Sequence, residues 1–588
     1  LPTNFDKLFF YHHKERVNNI PCCSPAYYIN LITNMYKDIY VATFVFVLAG
    51  VPLIAQTIVP DHADRLGMHE IVKDDAGKIL AWYAPQTPGA AYAHVAKLAS
   101  EFIKSGTPLD SATGLKSYLV TCCFSGPHLV GQQKFAEGRS NEGWMHNPAM
   151  TYAGMVQSLV LDYRVFSGDE DYTTVVREML DYQLKNGTTP PHFIYANVPY
   201  ASSDPFEKVY NGATRWENDG VRGDGLHGVE PDKIGELGYA YLKFYQVTNE
   251  APYLQAALHC ADALAKNIRP VGGNLENFGE VNTKKSPWPF RINARTGFVH
   301  DDYCANVIEP IRLFDELLRT ALRLQLSTPQ INEYQKARGI AWNWLFSRNG
   351  PLYTYIWTNY FEDIPNDPSQ SNRNQVSPME TARYLIKNPG LVPDIHRYVP
   401  ALLHYVESVF GTEGQNAIKE QTFCYVPMGS HTARFASVCA LWYAYSGDLT
   451  FKEKAFRYFN NATYITDTNG VVRVGNTWPS SWFSDGYSDY IKHFMDGMAA
   501  VPEWVQQDAV ISSTSAVQKI DYQPHRISFR TYDDTGHILV RLMKKPARVQ
   551  ISGTTIAENK GWSWQVLAKG GGVLKLVQQS GNQIEITK

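Results

Sequence analysis

The chain has no surplus of charge: 54 Lys and Arg against 57 Asp and Glu leave a net −3. That excludes the basic field nucleic acid requires and the polybasic patch that anionic lipid attracts. Cysteine is scarce, 8 in 588 residues, and its spacing makes neither a disulfide framework nor a zinc site. Cys22 and Cys23 fall in an atypical leader, and Cys122 and Cys123 have no partner pair. Cys260, Cys304 and Cys439 fall within helical patterns and read as buried thiols. Walker A, Gly-x-Ser-x-Gly and His-Glu-x-x-His are all missing from the sequence. Gly223-Asp-Gly225-Leu-His-Gly228 has dinucleotide spacing, but no strand precedes it and no βαβ unit surrounds it. Asp219 and Asp224 lie among glycines that would suit Ca²⁺, yet the EF-hand spacing and closing Glu are lacking. No metal or cofactor is expected.

Long apolar runs are also lacking, save Ile39 to Ile54. Met35, Lys37, that run and Leu53-Ile54-Ala55 follow signal-peptide grammar, so 35–55 is expected to direct export to the periplasm or the medium. Residues 1–34 read as an upstream extension. An uncleaved anchor is the other reading of the same run, and the only membrane contact expected.

Aromatic rings are abundant: 36 Tyr, 27 Phe and 13 Trp make up 13% of the chain. A large core accounts for some. Others fall in polar loops rich in Pro and Gly, where flat rings with a polar handle suit the apolar faces of sugars.

A hairpin signal repeats along residues 80–505. Leu161-Asp-Tyr-Arg-Val-Phe-Ser-Gly-Asp-Glu-Asp-Tyr172, Leu242-Lys-Phe-Tyr-Gln-Val-Thr-Asn-Glu-Ala-Pro-Tyr253 and Trp442-Tyr-Ala-Tyr-Ser-Gly-Asp-Leu-Thr-Phe451 share a pattern. Each has an aromatic last turn, Gly or Asn at a left-handed cap, an acid, and then a ring. Periodicity of 3.6 predicts twelve helices, at 88–105, 147–166, 170–186, 231–247, 250–267, 301–324, 329–347, 378–388, 394–410, 431–445, 448–461 and 486–499. Short links follow the even helices and long ones precede them. In a ring of antiparallel hairpins the long links and the even-helix N-termini gather at one mouth. Beyond residue 508 the period becomes two, in Ile527–Thr531, Ile538–Leu542, Val549–Ile551, Trp562–Trp564, Val573–Leu576 and Ile584–Ile586, which predicts a small antiparallel β-sandwich over 508–588.

Twelve helices in six hairpins with Ser-Gly-Asp turns and aromatic loops at one end resemble the (α/α)6-toroid, or six-hairpin, carbohydrate-active superfamily. The resemblance implies a mainly α fold with a toroid over 56–507. It also implies a glycoside hydrolase, polysaccharide lyase or uronate epimerase acting on a polysaccharide or oligosaccharide. A non-catalytic sugar-binding protein built on the same ring is the rival outside catalysis.

Two clusters exceed what helix capping needs. Asp485, Asp489 and His493 recur every four residues beside Trp478, Trp482 and Tyr487, and His300-Asp301-Asp302-Tyr303 places two acids side by side. A hydrolase needs two carboxyls of opposed protonation, and the expected set is Asp301 or Asp302 with Asp485 or Asp489, with Glu236 in reserve. A lyase needs a neutraliser and a Tyr or His base, roles open to His146, Asn147, Arg222, His227, Arg291, Tyr303 and His431. Trp144, Trp216 and Trp288 are the remaining expected sugar contacts, the last in the stiff loop Ser286-Pro-Trp288-Pro-Phe290-Arg291.

Overall fold

The structure is a computed structural model. It describes residues 65–588 apart from 111–112, 121–122, 125–146, 203–209, 213–223, 271–284, 361–371, 413, 423–426, 474, 476–480 and 483. Of residues 65, 123–124, 359–360, 372, 481–482 and 484–485 only the backbone is described. The leader readings at 1–34 and 35–55 therefore lie outside the described residues. So do Trp144, His146, Trp216, Asp219, Arg222 and Trp478, and the side chains of Trp482 and Asp485.

About half of the chain is helical. Each expected stretch finds its helix: α1 Ala90–Glu101, α2 Pro148–Met155, α3 Asp171–Asn186, α4 Pro231–Thr248, α5 Ala251–Lys266, α6 Ile308–Arg319, α7 Thr328–Leu345, α8 Val376–Lys387, α9 Ile395–Phe410, α10 Gly429–Ser446, α11 Leu449–Ala462 and α12 Tyr490–Ala500. Helix α2 continues through a π-helical stretch, Val156–Tyr163, and a last turn, Arg164–Ser167; another π stretch, Ser484–Asp489, leads into α12. The tight turns behave as their residues require. Gly168, Asn249 and Gly447 take positive φ of 79°, 60° and 78°, ending α2, α4 and α10 in left-handed caps. Asp448 then accepts from the Thr450 amide to start α11.

One boundary differs. The sixth helix, expected from residue 301, begins at Ile308, and His300 and Asp301 belong to a strand instead. Strands β1 Gly228–Val229, β2 Arg291–Asn293 and β3 Val299–Asp301 form a small antiparallel sheet. The Phe290 amide donates to the Asp301 carbonyl at 2.8 Å, so that oxygen is committed to the hairpin before any helix could use it.

The even helices pack in succession: α2 on α4, α4 on α6, α6 on α8, α8 on α10, α10 on α12, and α12 on the π stretch of α2. The odd helices back them, with α3 against α2, α5 against α4, α7 against α6, α9 against α8, α11 against α10 and α1 against α12. One continuous apolar cluster runs through both sets. Small residues permit the closest approaches. A Cβ on Gly154 of α2 would lie 2.6 Å from Ser488 Cβ, just ahead of α12.

The C-terminal strands are β4 Ala509–Ser513, β5 Val517–Gln523, β6 Arg526–Thr531, β7 Gly536–Leu542, β8 Arg548–Ile551, β9 Thr554–Thr555, β10 Trp562–Val566, β11 Gly572–Gln578 and β12 Gln583–Thr587. They form two antiparallel sheets, ordered β4-β7-β11-β10 and β5-β6-β12-β8-β9. Alternate residues of both, among them Val540, Leu574, Phe529 and Ile586, meet in a second apolar cluster. All six stretches read from the period of two are strands here.

Candidate active site

The two ends of the expected carboxylate set part company. Asp301 is buried at the end of β3 with its Oδ2 at 3.7 Å from Arg291 Nη1. Arg291 also reaches Asp224 Oδ1 at 3.1 Å and Glu230 Oε1 at 3.5 Å, and stacks over Phe290. This is a buried ion cluster that fastens the small sheet to the start of α4. Asp302 accepts from Arg269 Nη1 at 2.6 Å, with 43% of its side chain exposed. His300 is exposed and packs its ring on Phe298, and His227, at a positive φ of 67°, packs on Phe193. Tyr303, Trp288 and Tyr487 are core residues. Their polar atoms bond Ile356 O, Leu264 O and Val472 N in turn, which leaves no open ring face for a sugar. Asn147 precedes Pro148 and its carbonyl accepts from Thr151.

Glu236 of α4, His431 of α10, His493 of α12 and Asp489 just ahead of α12 are brought close enough to feel one another's charge. A cavity between α2, α4, α6 and α12 is lined by Gly154, Gln157, Glu236, Glu309, Arg312 and Lys492, among others. It offers about 20 Å³, room for water but not for a sugar ring.

Electrostatics divides the carboxyls sharply. Burial, reinforced by the charge of Glu309, pushes the Glu236 carboxyl up to about 8, with Lys233 and Lys492 opposing. Asp489 is also buried, but it accepts from Arg434 Nη2 and, at 2.9 Å, from Lys492 Nζ. Those two cations outweigh the burial and hold it well below the usual carboxylate range. Glu380 of α8 behaves alike: burial raises it, but Arg383, Lys492, Arg434 and Arg312 bring it down to about 2. At neutral pH this cluster thus carries a protonated acid near ionised carboxylates, a polarity that acid–base catalysis uses.

The histidines are neutral. Burial, then the neighbouring cations, lowers His493 well below its ordinary value, and burial also lowers His431. Arg383 Nη2 is 3.0 Å from His493 Nδ1, and Arg434 Nη1 is 3.2 Å from His431 Nδ1. Guanidinium only donates, so each Nδ1 accepts and each ring carries its proton on Nε2. Neither ring offers an Nε2 lone pair to take a proton.

Sequence reasoning missed Glu309, Arg312, Glu380, Arg383, Arg434 and Lys492. A signal was present. Lys233 and Glu236, Glu309 and Arg312, Glu380 and Arg383, His431 and Arg434, and Asp489 and Lys492 are each three residues apart, one pair near the start of every even helix after α2. Such spacing normally marks a solvated helix face. Its recurrence on the helices that should be innermost is what sets it apart. Among the described residues no group of three His, Cys, Asp or Glu is placed to hold a metal, and Asp224 is engaged with Arg291 and Ser202.

No protein-family model matches the chain, and no curated protein does. Several solved structures resemble it. A sugar epimerase from a ruminal bacterium is 11% identical, with 70% of this chain and 98% of the other covered at a TM-score of 0.46. A D-mannose isomerase is 10% identical, with 69% and 96% covered at 0.45. An unsaturated glucuronyl hydrolase specific for heparin is 8% identical, with 70% and 98% covered at 0.41.

Proposed function

We propose that residues 56–507 form an (α/α)6 toroid and that the chain hydrolyses glycosidic bonds of a polysaccharide or oligosaccharide. In this reading Glu236 is the acid and Asp489 the carboxylate that works with it. The succession of even helices, closed by α12 on α2, supports the toroid. The observation that carries the chemistry is the opposed protonation of Glu236 and Asp489, with Lys492 bound to Asp489 and lining the cavity beside Glu236. Glycoside cleavage needs this asymmetry: a carboxylic acid protonates the departing oxygen while a carboxylate activates water or attacks the anomeric carbon. The lyase or epimerase alternative requires a base to take a carbon-bound proton. The two central histidines are turned the wrong way for that by their arginines. The apolar segment in 35–55 fits export to where such polymers are met.

A panel of neutral and acidic glycans tests the reading. Hydrolysis releases reducing ends without ultraviolet-absorbing unsaturated products, whereas β-elimination yields the latter and isomerisation changes the sugar without cleavage. Glu236→Gln is expected to lower turnover by about 10²- to 10⁴-fold. The rate should hold below pH 8 and fall as pH rises through about 8, because the protonated Glu236 is the working form. Binding without turnover, unchanged in Glu236→Gln and Asp489→Asn, would instead establish a sugar-binding protein.

A further inference from the structure

We propose that Lys492 is a positioning residue of this reaction: its ammonium ties the Asp489 carboxylate to the cavity that Glu236 lines and sets the balance of charge between them. The inference rests on the hydrolase reading of the same site.

Its geometry is unlike that of a surface lysine. The side chain is 13% exposed, Nζ lies 2.9 Å from Asp489 Oδ1, and the residue lines the cavity with Glu236, Glu309, Arg312 and Gln157. The backbone is pinned as well. Ser158, in the π stretch of α2, donates to the Ser488 carbonyl and accepts from the Lys492 amide at 3.2 Å. Gly154, one turn earlier, lets the two helices meet closely enough for this. Thus α2, which carries no charge of its own among the residues lining the cavity, fixes where the first turn of α12 presents its cation.

A structural role alone does not account for the residue. Asp489 already has Arg434 as a partner, so a second cation is not needed to neutralise it. Burying an ammonium costs several kcal/mol unless its partners repay it, and an apolar side chain would fill the space without that demand. The charged and titratable groups facing Glu236 are Lys233, Tyr239 and Lys243 on its own helix, Glu309 and Arg312 from α6, Lys492 from α12 and Asp489 just ahead of it, with the uncharged Gln157 from α2. Removal of Lys492 leaves Glu309 and Asp489 less opposed, so the Glu236 proton is held more tightly.

The experiment is a pH–rate profile of the full chain on whichever glycan it hydrolyses, for wild type, Lys492→Gln, Lys492→Met and Lys492→Arg, with Glu236→Gln as control. Loss of the ammonium should move the alkaline limb upward by about one pH unit and lower kcat more than it changes KM. Lys492→Arg should restore the limb. A limb that stays in place in folded Lys492→Gln overturns the inference while leaving the hydrolase reading intact. Full activity in Glu236→Gln overturns both. Lys492→Gln keeps a polar chain of similar reach, so it remains informative if Lys492→Met does not fold.

Discussion

Glu380 shows how a carboxylate survives at the centre of a helical array. Burial disfavours its charge, but Arg383 lies 3.1 Å away and Arg434 3.3 Å away, and their field brings it from 4.5 to about 2. A folded-state value below the unfolded one adds stability that is present above pH 4.5 and lost as pH falls toward 2. The contribution is on the order of 3 kcal/mol at neutral pH. Glu380→Gln should flatten the acid limb of a stability–pH curve followed by tryptophan fluorescence, and an unchanged acid limb would contradict the assignment. Trp288 makes the opposite point. Its place between prolines marked it in the sequence as a rigid ring, but not which way the ring faces. In the fold it is buried, with Nε1 on the Leu264 carbonyl at 2.9 Å. Trp288→Ala should therefore cost about 3–5 kcal/mol in urea unfolding, while the KM of the remaining folded enzyme stays near wild type. A large rise in KM with stability unchanged would return the residue to the sugar site.

At the scale of elements, the helices were legible because caps and periodicity are local physics. Ser-Gly-Asp and Thr-Asn-Glu turns dictate where one helix stops and the next starts, whatever surrounds them. The start of α6 was not legible, because a short hairpin with the preceding segment, Arg291–Asn293, claims His300 and Asp301. Helical periodicity over 301–324 does not register a strand pairing at its start. The π stretches were invisible because their spacing departs from 3.6, and two of them, Val156–Tyr163 and Ser484–Asp489, flank the place where α2 meets α12. Gly154 sits at that meeting. Alanine is a better helix former by about 1 kcal/mol, which alone predicts that Gly154→Ala stabilises. The Cβ contact of 2.6 Å to Ser488 decides the sign the other way, since overpacking costs about 1–3 kcal/mol. A lower melting temperature for Gly154→Ala is expected, and a higher one would mean that α2 and α12 are not so closely apposed.

At the scale of the molecule, the same helices hold the buried charge cluster toward one end and anchor the β-sheets at the other. Arg164, fully buried near the end of α2, donates to the Val517 carbonyl of β5 and pairs with Glu170, which accepts from the Ile520 amide at 3.0 Å. Tyr522 donates to the Val165 carbonyl at 2.7 Å. Val165 itself belongs to the apolar cluster of the sheets. Gln518 bonds the Gln246 carbonyl late in α4, and Asp533 takes Arg319 at the end of α6 at 3.1 Å. These attachments all involve the C-terminal ends of even helices or the tight turns after them, away from Glu236 and Asp489. The sequence placed a boundary near 508 from the change of period, and that remains the proposed division, but periodicity says nothing about how two parts adhere. A buried guanidinium stripped of its carbonyl partner is costly, so the sheets and the helices should not come apart before either melts. Calorimetry of the whole chain should accordingly show one transition, and a chain ending at residue 507 should melt several degrees lower. Two resolved transitions, or an unshifted one after truncation, would mean that Arg164 and Tyr522 do not couple the parts and that the sheets are carried rather than built in.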